Sequence, residues 1–248
     1  MASNTTIIFV PGAWHPASCW DKVAKHLEQA GFNTDLVDLP SVGPPEHLKG
    51  FEPDVEEVRR HVIAAGDAGQ KVVLVCHSYG GLPTTQSVEG LDLKTRQTRG
   101  QPGGIVHLVY CCSFVIPEGE SLIGAFGGND LPWFIISDDK MQYFPNGPET
   151  VFYNDMSEED AKSATAMLKP HSYQTAHSRL TYAGWKHVPS TYIYCLKDNA
   201  IPIVVQKMMV EQTAKGYGVR TETLDASHSP FWSMPKETAE AIQRAAES

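Results

Sequence analysis

The stretch from Lys71 to Gly81, KVVLVCHSYGG, carries an apolar run of strand length that stops at Ser78, just before a helix-compatible segment. That layout is a nucleophile elbow: a serine on a strained turn at the end of a sheet strand, its hydroxyl pushed out, with small residues two before and two after so that strand and helix can close together. Gly80 meets that demand, and Cys76 stands where the usual G-x-S-x-G pattern has glycine, keeping a modest side chain at the tight position. A serine that merely caps the following helix would leave the same local trace. As a nucleophile, Ser78 needs a neutral imidazole to take its proton and a carboxylate to hold that imidazole in one tautomer, which together perform acyl transfer.

Acyl transfer also needs N–H donors for the developing oxyanion. The segment Pro11-Gly12-Ala13-Trp14-His15-Pro16 breaks a first apolar strand, Thr6 to Val10, at its carboxyl end. Pro11 and Pro16 have no N–H to offer, so Ala13 is the best placed donor and Trp14 the second; an ordinary strand-to-helix connection would read the same way.

These residues sit on a pattern that positions them. A helix is expected from Ser18 to Ala30, a strand from Thr34 to Leu39, a Pro/Gly-rich surface loop from Pro40 to Pro53 and a helix from Asp54 to Ala65. After the elbow come a helix from Leu82 to Gly90, a polar surface connection from Leu91 to Gly104, and a buried strand from Ile105 to Cys112. His107, in mid-strand, reads as a core histidine. Strands that are continuous apolar runs, alternating with helices, call for a parallel sheet covered on both faces, hence an α/β fold.

From Pro117 to His187 the alternation stops. This segment is rich in aromatics, among them Trp133 and Tyr153, and holds one clear helix from Ser157 to Leu168, opened by a cap and an acidic first turn. Such an insertion suits a lid subdomain (residues 117–187) over an apolar pocket, within a core domain made of residues 1–116 and 188–248. Alternation resumes with a strand from Thr191 to Leu196, a helix from Ile203 to Lys215, a strand from Val219 to Leu224 and a closing helix from Lys236 to Ala246. The loops after those two strands carry Asp198, and Asp225 with His228, at strand carboxyl ends, where open α/β sheets bind ligands.

At 248 residues, one domain with an insertion is expected. A net charge of −9 with no long Lys/Arg cluster argues against nucleic acid and anionic membranes as partners. The leading residues, Met1 to Thr6, carry no basic n-region and no apolar run approaches the roughly 20 residues a bilayer needs, so a soluble cytoplasmic protein is expected. Five cysteines without C-x-x-C spacing read as buried thiols.

Pro11-Gly12-Ala13-Trp14, Cys76 to Gly81, Lys197 to Pro202 and Asp225 to Ser229 together resemble the spaced blocks of the α/β-hydrolase superfamily, closest to the branch of plant methyl esterases and hydroxynitrile lyases. The resemblance covers nearly the whole chain and is weakest in the lid. It implies an α/β-hydrolase fold, a mostly parallel doubly wound sheet with a lid, and the roles of Ser78 as nucleophile, Asp198 as acid and His228 as base. The backbone N–H groups of Ala13 and Tyr79 would then form the oxyanion hole. The order Ser, Asp, His agrees with it. His77 adjoins the nucleophile, His171, His177 and His187 lie in or beside the lid, and His228 alone is on a late sheet loop. Asp225, within the same short loop as His228, reads as a turn-stabilising residue.

A serine hydrolase of small or medium, largely apolar esters or lactones is therefore expected, with no cofactor and no metal, a small-molecule substrate as partner, and a monomer or homodimer both compatible. Trp14, His15, Trp133, Tyr153 and Trp232 are the expected substrate contacts. A lyase or C–C bond hydrolase on the same triad is the second reading; the hydroxynitrile lyases place a lysine directly after the catalytic histidine, where this chain has Ser229. A low-turnover small-ligand receptor on the same fold is the third.

Overall fold

The protein is described by a computed structural model covering residues 4–247; residues 1–3, the start of the leading stretch considered above, lie outside the described residues. Along the first half of the chain run β1 (Thr5–Val10), α1 (Asp21–Gln29), β2 (Asn33–Leu36), α2 (Glu52–Asp67), β3 (Lys71–His77), α3 (Gly81–Ser87), α4 (Leu93–Thr98) and β4 (Gly104–Cys111). An insertion follows, with α5 (Leu122–Ala125), β5 (Phe134–Ile136), β6 (Gln142–Pro145), α6 (Pro148–Val151), α7 (Glu158–Thr165) and β7 (His171–Ser172). The chain closes with β8 (Ser190–Cys195), α8 (Ile203–Met208), β9 (Arg220–Leu224), α9 (Pro230–Ser233) and α10 (Pro235–Ala246).

The main sheet has the order β2-β1-β3-β4-β8-β9, and every pairing in it is parallel. The four inner strands are almost wholly buried, as strands covered on both faces must be. β2 (NTDL) and β9 (RTETL) are polar and partly exposed because they are the two edges. One face is covered by α1 and α10 through Val23, Leu27 and Ile242, and the other by α2, α3 and the insertion through Val58, Val62 and Leu82. Val10 pairs with Cys76, Cys76 with Tyr110, and Cys111 with Ile193, so the strands finish level and their following loops emerge along one rim.

Beyond shifts of a few residues at element ends, three of the expected segments differ in kind. The stretch from Leu91 to Gly104 is not only a surface connection: it contains α4, whose Arg96 is buried because its guanidinium donates to the Gly103 carbonyl and to Asp67. The loop from Pro40 to Pro53 is anchored at both ends, with Ser41 and Phe51 fully buried. The helix expected from Ile203 to Lys215 is α8 followed by a π-helical turn, Met209–Thr213.

The insertion folds around a small antiparallel sheet of order β5-β6-β7. It is tied to the core through backbone hydrogen bonds from Gly43 to Pro170, from Ser172 to Ser41 and from Lys169 to Trp14. All five cysteines are free and buried. No helix among the described residues is long and apolar enough to cross a membrane.

Candidate active site

Ser78 follows β3 with φ of 50°, a left-handed conformation that a residue with a Cβ adopts only when its surroundings over-determine it. Two contacts hold the turn: the Ser78 carbonyl accepts the N–H of Phe114 at 3.2 Å and the hydroxyl of Ser113 at 2.7 Å. The glycines around it are required by close approach. A Cβ on Gly80 would run into the Pro11 carbonyl oxygen, one on Gly81 into Ser113 and the Phe114 carbonyl, and one on Gly12 would meet Ser78 Cβ at 2.9 Å. Cys76 does not need to be glycine: its thiol fits in the core, donating to the Val109 carbonyl at 3.5 Å. Trp14, with φ of 66°, and Cys112, with φ of 34°, share the left-handed conformation, so three such residues lie beyond the carboxyl ends of β1, β3 and β4. Backbone strain is concentrated on the rim where the loops meet.

Asp198, after β8, and His228, after β9, are both buried and joined by a 2.8 Å hydrogen bond between Nδ1 and Oδ2. The carboxylate is fixed from its other side, Oδ1 accepting the N–H groups of Ala200 and Ile201, each at 2.8 Å, and Oδ2 the amide of Gln206 at 3.2 Å. Gln206 is fully buried and also bonds the backbone of Cys195 and Ile201, so it ties the Asp198 loop to α8. A lone glutamine gives no sequence signal for such a position. Asp225 lies on the surface, paired with Lys197 at 2.7 Å. The residue before Ser78, His77, donates from Nε2 to the backbone oxygen of His228 at 2.8 Å.

Ser78, Ala13 and Tyr79 open onto one narrow cavity, with Trp14, Trp133, Phe134, Tyr143 and Phe114 among its walls. None of the lining residues is charged, and two of their polar tips are already committed: Trp14 Nε1 donates to the Tyr143 carbonyl at 2.9 Å, and the Tyr143 hydroxyl bonds His171. Phe152 stacks on Trp14 at 5.6 Å and lies 5.5 Å from the His228 ring, joining the cavity wall to the Asp198–His228 pair.

Of the five expected substrate contacts, Trp14 and Trp133 are in this wall and three are not. His15 Nδ1–H donates to the Ala13 carbonyl at 2.8 Å and its Nε2 accepts the Tyr153 hydroxyl at 3.0 Å, so both rings are spent bracing the loop from behind. Burial lowers the His15 pKa to about 4 and keeps it neutral. Trp232 lies on a different groove, beneath the ammonium of Lys22 at 4.9 Å. Phe134 and Tyr143, two of the insertion's aromatics, line the cavity as well, and Phe114, Leu122, Leu131, Ala200 and Ile201 line it unforeseen, since residue type alone does not say which way a side chain faces.

Among the described residues, two groups of donor atoms are compact enough to hold an ion: His77, Cys112 and His228, and Cys111, Cys112 and Cys195. Burial pushes the Cys112 and Cys195 thiols well up, whereas side-chain hydrogen bonds with those two hold the Cys111 thiol below its ordinary value. Nδ1 of His228 is taken by Asp198 and Nε2 of His77 by a carbonyl. What the arrangement offers is a serine hydroxyl on a strained backbone, an imidazole held by a carboxylate, and an uncharged, mostly apolar cavity, which are parts that acyl transfer uses.

The sequence model described as "Alpha/beta hydrolase family" matches residues 7–241. A probable hydrolase of a Phoma species is 31% identical over 242 residues, covering 95% of this chain and 96% of that protein. A methylesterase of Arabidopsis thaliana is 26% identical over 268 residues, covering 99% and 98% respectively. Among solved structures, an Arabidopsis methylesterase superposes with a TM-score of 0.74 at 25% identity, covering 98% of this chain and 99% of the other.

Proposed function

The chain belongs to the alpha/beta hydrolase family, and from that premise we propose that it is a serine esterase that cleaves uncharged esters of compact, largely apolar acids through an acyl-enzyme. Ser78 Oγ attacks the ester carbonyl while Nε2 of His228, the ring nitrogen left over once Nδ1 is committed to Asp198, takes its proton. The oxyanion is received by the N–H groups of Ala13 and Tyr79, and the imidazolium returns its proton to the departing alcohol. Water then attacks the acyl-enzyme by the same route and frees the acid.

The observation that carries this reading is Ser78, held at φ of 50°, in the wall of an uncharged aromatic cavity shared with Ala13 and Tyr79. The close aromatic and aliphatic walls suit a short or monocyclic acyl group. A neutral substrate follows from the walls, since no cation is there to pair with a charged acyl group. Residues 117–187 act as the lid in this reading, supplying Trp133, Phe134 and Tyr143 to the acyl side. A lactone of similar bulk reacts by the same steps.

The test is fluorophosphonate labelling with peptide mapping, alongside hydrolysis of p-nitrophenyl acetate and methyl benzoate. The adduct is expected on Ser78, with Ser78→Ala inactive. An adduct on another serine, or full activity in Ser78→Ala, overturns the assignment.

A further inference from the structure

Asp54, near the start of α2, is fully buried, and no Lys or Arg among the described residues pairs with it. Its carboxylate accepts three donors: the Ser41 N–H at 2.9 Å, the Ser41 hydroxyl at 2.6 Å and the Tyr79 hydroxyl at 2.6 Å. Because Ser41 spends its proton on Asp54, its oxygen accepts from Nε2–H of His171 at 2.7 Å. Nδ1 of His171 is then left to accept the hydroxyl of Tyr143 at 3.0 Å, and the Tyr143 carbonyl accepts Nε1–H of Trp14. Ser41, His171, Tyr143 and Trp14 are all buried.

This chain has a direction. Apart from the last link, which joins through the Tyr143 backbone, every hydroxyl or imidazole proton points toward Asp54, and only an acceptor-only group can terminate it. One arm reaches Tyr79 directly; the other runs through Ser41, His171 and Tyr143 to Trp14, whose preceding residue is Ala13. On the reading above, one arm ends on the side chain of an oxyanion donor, Tyr79, and the other on the residue that follows the second donor, Ala13. We propose that Asp54 is a positioning residue that holds the Ala13 and Tyr79 backbone in register for the oxyanion, an inference that rests on the esterase reading. A buried carboxylate without a cation is costly to a fold, and setting both sides of the oxyanion site is what that cost secures.

The groups facing Asp54 are Tyr79 from the elbow, Ser41 from the loop before α2, and His171 and Tyr143 from the insertion through Ser41. Glu52, on its own helix, adds repulsion, and His47 acts on His171. Burial raises the Asp54 pKa to about 6 and lowers that of His171 to about 3, so His171 stays neutral while Asp54 titrates. Below about pH 6 Asp54 takes a proton, one donor loses its acceptor and both arms slacken. The stability effect has the opposite sign: a carboxyl raised above its unfolded value is relieved of its penalty as pH falls through that window. Catalysis and stability therefore separate.

The experiment compares wild type, Asp54→Asn and Tyr79→Phe with p-nitrophenyl acetate across about pH 5 to 8, with Tm and the inhibition constant of an aryl trifluoromethyl ketone, which forms an oxyanion adduct. Expected are a kcat lower by roughly 10- to 100-fold with KM within about 2-fold, less than outright loss of an oxyanion donor, and a parallel loss of ketone affinity. The acid limb of kcat/KM should lose one proton in Asp54→Asn. Variants that change only Tm, with wild-type kcat, ketone affinity and pH profile, overturn the proposal. A fully active Ser78→Ala would instead sink the esterase reading. The network is then judged by tryptophan emission, which should inflect near pH 6 in wild type and not in Asp54→Asn or Trp14→Phe. An emission curve that is the same in all three proteins rejects it.

Discussion

His77 Nε2 donates to the backbone oxygen of His228 at 2.8 Å, and the two rings lie 4.5 Å apart, so the residue before Ser78 fixes the loop that carries the imidazole. Two ends of the proposed triad are thereby joined through the backbone, not only through their reacting atoms. His77→Ala removes that donor and opens a core cavity, and should cost about 2–4 kcal/mol of stability. kcat should fall in step as the His228 loop loosens. His77→Gln, whose amide can still donate, should recover part of both. Urea unfolding and aryl acetate kinetics on the two variants check this; equal kcat in wild type and His77→Ala refutes it.

The contrast between two aspartates is sharper. Asp198→Asn should lower kcat by roughly 10³- to 10⁴-fold, because the wrong tautomer of His228 is favoured when Nδ1 faces an amide. Asp225, tied to Lys197 on the surface, should tolerate the same change with little effect, as exposed pairs contribute little. Steady-state kinetics on both single variants settle the ranking, and the reverse order would move the acid to Asp225.

Trp133 lines the cavity and Tyr153 does not. Trp133→Ala should change the ranking of acyl groups, raising relative kcat/KM for bulkier esters while acetate is affected least. Tyr153→Phe removes only the hydroxyl that reaches His15 and should depress all esters alike. A panel of p-nitrophenyl esters from acetate to benzoate and longer acyl chains separates the two; the same uniform loss in both variants would show that Trp133 merely packs the insertion.

Burial holds the folded-state pKa of His15 at about 4, below its unfolded value of 6.5. In that window the unfolded chain takes a proton that the folded chain refuses, so stability is complete above the unfolded pKa. It is lost as pH falls toward about 4, at a rate approaching 1.4 kcal/mol per pH unit. His15→Gln should flatten the pH dependence by about one proton. Urea unfolding at several pH values checks the slope, and an unchanged slope contradicts a neutral buried His15.

The inner strands β1, β3, β4 and β8 are legible in the sequence because burial on both faces demands continuous apolar runs, and Ser78 because an elbow has a fixed spacing of small residues. The polar edge strands β2 and β9 lack that signal, and their bounds shift accordingly. His171 lies far in sequence from Ser41 and Asp54, so its meeting with them depends on how the insertion docks. His15, Tyr153 and Trp232 have the ring chemistry of a pocket, yet their facing is decided by hydrogen bonds and by Lys22, which one-dimensional pattern does not contain.

The five buried thiols make the protein its own clock for opening. Cys19, Cys111, Cys112 and Cys195 belong to the core packed under α1 and α10, whereas Cys76 belongs to the core on the opposite face of the sheet. A thiol reagent can reach any of them only when the covering layer lifts, so alkylation rates read by peptide mass would time the two layers separately. If the insertion and its supporting helices breathe during turnover while the α1/α10 layer stays shut, Cys76 will label first.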